Sequence, residues 1–139
     1  MPSTYAVTIS RPIGEVFQFL SELEHLAIWE VAVRWARRTR AGPLGVGTVF
    51  EQAIERHGQA YRAACEVVAY EPPYQLGWVS DLGTARLITR ITLQTVGLGT
   101  RLTLRRHALG GGEGGPDGGA EIAVSLRRLR DALEGQRPC

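Results

Sequence analysis

The chain of 139 residues contains no lysine and no asparagine. Without lysine there is no Schiff-base nucleophile and no P-loop cation. Cysteine is nearly absent: Cys65 lies in an apolar stretch and Cys139 is the last residue. That is no disulfide framework, and no C-x-x-C or Cys/His cluster has the spacing of a zinc site. H-E-x-x-H, a carboxylate cluster and a G-x-S-x-G elbow are also missing, so neither a metal centre nor a serine hydrolase is expected. No apolar run approaches the roughly 18 residues that span a bilayer. The opening MPSTYAVTIS lacks the basic and apolar regions of a signal peptide. Together these absences predict a cytoplasmic protein with no stable membrane insertion, no metal and no cofactor.

What is present fits one globular domain over residues 1–139. Hydrophobic residues make up 44% and charged residues 22% of the chain, ordinary for a folded domain of this size. All 16 basic residues are arginine, and against 14 acids they leave a net charge of +2, too small to argue for a nucleic-acid partner.

The pattern changes once along the chain. Tyr5, Val7 and Ile9 alternate with polar neighbours as in a half-buried strand. Ile13, Val16, Phe17 and Leu20 then form one helical stripe, with Ser10 as its expected cap. Ser21 and Glu24 have capping-box spacing for a second short helix, SELEHLAIW. Six alternating segments follow, joined by turns such as AGPLGVG, HGQ, EPPYQ and VGLG, and predict an antiparallel sheet with one wet face. Ile122, Leu126, Leu129 and Leu133 mark a final amphipathic helix, with residues 135–139 as a frayed tail.

One stretch imitates a different fold. In LGGGEGGPDGG, Gly110, Gly112 and Gly115 match G-x-G-x-x-G between a strand and a helix. A dinucleotide site needs a second, parallel strand after that helix, and no strand follows it here. Residues 109–119 are therefore expected to be a flexible loop, a hinge for the last helix whose stiffening would slow ligand entry.

The order of elements resembles the START-like helix-grip superfamily, and within it the polyketide cyclase/dehydrase and lipid-transport group. The resemblance is carried by SRPIGEVFQFL, Trp29, GPLGVGTVF, YEPPYQLGW and GLGTRLTL, across Thr4 to Leu133. It implies an α+β fold: a curved seven-stranded antiparallel sheet, two short helices after strand 1, and a long C-terminal helix on the concave face. It implies a cavity between that helix and the sheet for a small hydrophobic or aromatic molecule, such as a lipid or polyketide. The same cavity would serve a cyclase, aromatase or dehydratase. A third reading is a protein that meets a macromolecule with its sheet surface.

The side chains predicted to face the cavity are Trp29, Trp35, Phe50, Gln52, Tyr61, Trp78, Thr89, Leu104 and Arg106. Arg106 is the one cation among them, able to clamp a carboxylate or enolate. No catalytic residue is assigned. His25, His57 and His107 fall at element ends and are expected on the surface, with His25 and Glu24 the best general-base candidates should the protein be an enzyme. On the convex face, Arg34, Arg38, Arg86, Arg90, Arg101 and Arg105 are expected to pair with Glu51, Glu55 and Glu66 into a mixed, solvated surface. Ile88 on that face admits a homodimer.

Overall fold

The computed structural model describes residues 3–56, 58–83, 85–109 and 119–135. The glycine run at 110–118, His57 and residues 136–139 lie outside the described residues, and the expectations for them with it. Seven strands form one antiparallel sheet: β1 Ser3–Ile9, β2 Val33–Arg38, β3 Val49–Arg56, β4 Gln59–Glu71, β5 Gln75–Asp81, β6 Arg86–Val96 and β7 Gly99–Leu109. Their order across the sheet is β1-β7-β6-β5-β4-β3-β2, so β2 to β7 form a continuous meander and β1 returns to the far edge beside β7. Helix α1 (Ile13–Ser21) and the single turn α2 (Leu26–Trp29) follow β1, and α3 (Gly119–Glu134) packs on the concave face of the curved sheet.

Apolar side chains with the predicted period bind these layers together. Val16, Phe17, Phe19 and Leu20 bury the inner stripe of α1, and Ile122, Leu126, Leu129 and Leu133 bury that of α3. They meet the inward-facing Ile9, Leu76, Ile91, Leu93, Leu102 and Leu104 of the strands in one core. Fully burying each such side chain stabilises the fold by about 1.5–3 kcal/mol. Gly99 is required where β7 crosses the end of β1, since a Cβ there would lie 2.7 Å from the Ile9 carbonyl oxygen.

The helix starts differ from the sequence expectation. The carbonyl of Pro12, not a Ser10 side chain, begins α1, accepting from the Glu15 and Val16 amides. Ser21 makes no capping box. Its hydroxyl donates back to the Phe17 carbonyl at 2.8 Å, a local bond that competes with capping and closes α1 instead. The segment after it is a 3-10 turn, Leu23–His25, running into α2.

Candidate functional site

The concave face turns polar along a row of side chains set side by side. Val67, Trp78, Thr89 and Arg106 are register partners across β4, β5, β6 and β7. One row further toward α1 the same strands present Leu76, Ile91 and Leu104, all buried. In the other direction come Ser80 and Leu87. Alternation along β7 (Leu102, Leu104, Arg106) carries the guanidinium inward, and Arg106 is only 4% exposed.

A buried cation requires a buried anion. Glu30 supplies it. The residue caps α2, its amide bonded to the Leu26 carbonyl at 2.9 Å, and its extended backbone (φ −77°, ψ 116°) turns the chain toward β2. Its carboxylate, on a residue 6% exposed, accepts a hydrogen bond from Arg106 Nη2. Arg106 Nε donates to Thr89 Oγ1 at 2.9 Å. A guanidinium has five N–H donors, so these two bonds leave capacity for an incoming acceptor. Next to this cluster, Cys65 Sγ donates to Ser80 Oγ and Ser80 Oγ to Gln52 Oε1, each at 3.4 Å. Burial pushes the Cys65 thiol up from 9.0 to about 12, the Ser80 bond opposing the rise, so it is no thiolate nucleophile near neutral pH.

These groups surround a cavity of about 20 Å³, walled by Ile54, Trp78 and Leu87 and edged by Glu121 of α3. That is room for about one water molecule, well below the roughly 300 Å³ at which drug-sized pockets begin. Its polar lining is one guanidinium, three neutral polar groups and an indole, with two carboxylates, Glu30 on the guanidinium and Glu121 at the edge, so its donors suit a hydrogen-bond acceptor.

Of the residues predicted to face this space, Gln52, Trp78, Thr89 and Arg106 line it. Phe50 is buried behind it, edge-on to Trp78 at 6.4 Å. Leu104 and Trp29 are fully buried in the apolar core and do not reach the cavity. Tyr61 is on the inner face, opposite Ile54, but lies beyond the core at the β3–β4 hairpin, 39% exposed, its hydroxyl on Gln59. Trp35 is a correction. A bulge between Val33 and Trp35 sets two residues of β2 against one of β3, so Val33 and Ala36 point inward and Trp35 points outward. There the Arg37 and Arg62 guanidiniums stand over its ring at 4.7 and 5.4 Å.

Glu30 and Ser80 belong to the site and were absent from the sequence reading. The demand of a buried Arg106 for an anion was the available signal. His25, proposed as a base, lines a separate hollow of about 280 Å³ beside α1, between the Phe19 carbonyl (2.9 Å) and the Glu22 carboxylate (2.8 Å). Glu24 is exposed, and His107 lies on the outer face opposite Ile88. Among the described residues no group of three or more His, Cys, Asp or Glu is placed to hold a metal, and no helix is long and apolar enough to cross a membrane.

Comparison with known proteins agrees with the fold. Residues 3–135 match the family described as polyketide cyclase / dehydrase and lipid transport. Among solved structures, the chain is similar to TTHA0849 of Thermus thermophilus (TM-score 0.81, 15% identity, 99% of this chain and 100% of that one). It is similar to a START superfamily protein of Mycobacterium smegmatis (TM-score 0.75, 16% identity, 97% and 95% covered). It is also similar to BexL, a di-domain ARO/CYC of the BE-7585A biosynthetic pathway (TM-score 0.75, 15% identity), covering 99% of this chain and 51% of that one. Identities this low establish the fold alone. A search of the curated proteins finds no match.

Proposed function

Since the chain belongs to the polyketide cyclase / dehydrase and lipid transport family, we propose that it binds a small hydrophobic or aromatic molecule bearing one anionic or hydrogen-bond-accepting group. The ligand's apolar body would lie against Trp78, Ile54 and Leu87, and its polar group would meet Arg106. One observation carries this reading: an ionic Arg106–Glu30 pair, with Thr89 on the guanidinium, is buried beside a cavity in a largely apolar core. A purely structural core has little use for such a cluster, because apolar residues of similar volume often serve as well or better. With about 20 Å³ of free space, binding requires the α3 side of the cavity, at Glu121, to move outward from Leu87.

A second reading, cyclisation or dehydration chemistry in the same cavity, is favoured by the same pair. Glu30 is a carboxylate able to take a proton from carbon, beside a guanidinium able to hold the resulting enolate.

Native mass spectrometry on protein purified from its own host should find a co-purifying small molecule, and the variant Glu30→Leu/Arg106→Met should lose it. Retention of the molecule by that variant overturns the assignment of the site. With a poly-β-ketone substrate, Glu30→Gln should lose turnover while wild type turns over; equal rates would remove the enzymatic reading and leave the binding one.

A further inference from the structure

The outer face of the sheet is divided by charge. On the β2–β4 half, arginines meet acids: Arg34 pairs with Glu55 and Arg37 with Glu51 at 3.3 Å, while Arg62 lies over Trp35 and Glu66 is exposed without an ion pair among the described residues. The β6–β7 half carries Arg86, Arg90, Arg101 and Arg105, all exposed, and among the described residues none of the four forms an ion pair. Arg90 and Arg105 are direct cross-strand partners. Like charges in that position repel and destabilise the pair of strands. At the border with β5, Arg86 shares a hollow with Glu51, Glu66 and its cross-strand partner Asp81, whose Oδ1 accepts from the Gly83 amide. Of the expected outer-face pairings among the described residues only Arg34–Glu55 forms, joined by Arg37–Glu51, while Arg38 lies opposite the buried Phe50 with its guanidinium on the Gly42 carbonyl.

We propose that this arginine stripe docks an acidic segment of another protein. At about 3.3 Å per residue, Arg101 lies roughly 13 Å along the strands from the Arg90–Arg105 pair, and Arg86 roughly 13 Å beyond it on the other side. The stripe is thus about 26 Å long, matched to an extended or helical segment carrying several carboxylates. Each guanidinium can take a carboxylate in a two-pronged bond. Between the Arg90–Arg105 pair and Arg101 lie Thr92 and Thr103, small and uncharged, so a partner backbone can come close there; between that pair and Arg86 lie Ile88 and His107. The one aromatic ring on the stripe among the described residues is the half-buried His107, which leaves successive bases without a row of stacking platforms. The exposed Val96 and Leu98 sit in the turn at its end, and the only apolar side chain between its arginines is the half-buried Ile88, little apolar surface for a bilayer. On the outer face of a second copy, Glu51 and Glu55 are already paired with arginines, which leaves Glu66 and Asp81 as its exposed acids there. Fold stability gains nothing from the stripe, which separates it from the paired half.

The test uses fluorescently labelled poly-L-glutamate and fluorescence anisotropy at low and at physiological salt. Arg90→Gln/Arg105→Gln should weaken binding by about tenfold, the loss expected for two charge contacts. Arg127→Gln/Arg128→Gln, the same charge change on the exposed side of α3, should alter it by less than about twofold. The stripe variant should also unfold at a higher temperature than wild type, since an opposed pair of charges has gone. Equal weakening in both variants overturns the proposal by reducing it to net charge. It is equally overturned if a DNA duplex or phosphatidylserine vesicles bind through Arg90 and Arg105 while poly-glutamate does not, or if the stripe variant loses a dimer that wild type forms in sedimentation.

Discussion

The two ends of the interior obey different rules. At the end beneath α1, Ile9, Leu76, Leu93 and Leu102 meet Phe17 and Leu20, and nothing in that contact has a direction. At the other end, under α2 and the start of α3, the same strands present Thr89, Ser80, Gln52 and Arg106, each held by a specific partner. The first end is stabilised by area removed from water, which tolerates exchange among side chains of similar volume. The second is stabilised only while every donor meets its acceptor, because an unmatched buried charge costs more than the matched pair contributes. The comparison teaches where to look for function. The dry end accounts for the fold, and the polar end is the part that the fold alone does not explain.

The sharpest way to break this contrast is to remove one partner of the ion pair. Glu30→Leu should destabilise the protein by about 3–5 kcal/mol in urea unfolding, since Arg106 is left charged and buried. Glu30→Leu/Arg106→Met should recover most of that loss. If the single variant is as stable as wild type, water or another acid reaches Arg106 and the polar end is not dry. Leu102→Ala, at the apolar end, should cost about 3 kcal/mol through lost transfer energy and an unfilled cavity. No second substitution should be needed to interpret it, and it should leave any co-purifying molecule in place.

An effect visible only at alkaline pH concerns Cys65, which borders the polar end through Ser80. Its folded value of about 12 lies above its ordinary 9.0. Below pH 9 the thiol is neutral in both states and its burial is fully favourable. Above pH 9 the unfolded state loses the proton first, so stability falls by about 1.4 kcal/mol per pH unit until the folded thiol ionises. Subtracting the profile of Cys65→Ala isolates this contribution. A flat difference between pH 9 and 11 would mean that solvent enters this part of the interior.

Much of this architecture was legible in the sequence. Alternation identified the inward faces of β3, β5, β6 and β7, including the inward course of Arg106, and the helical stripes of α1 and α3 were read with their buried residues. Where the reading failed, something other than period decided. A single extra residue in β2 turned Trp35 to the outer face while leaving the apparent alternation intact. Tyr61 kept its predicted face but lies past the edge of the core, because β3 and β4 extend beyond what the helices cover. The arginines of the outer face were seen, but which of them would face acids depends on strand order.

The sequence by itself determined the element types, the layer order and the identity of the core, because these follow from the period of apolar residues and from local turn chemistry. Only the tertiary structure decided that Glu30, 76 positions before Arg106, would neutralise it. The tertiary structure alone also divided the convex arginines into a paired half and an unpaired half. The physical reason is the same in both cases. Burial of apolar groups depends on how much surface is covered, which a local pattern can signal. Charge pairing depends on which two atoms come within a few ångströms, and that distance exists only once the chain has folded.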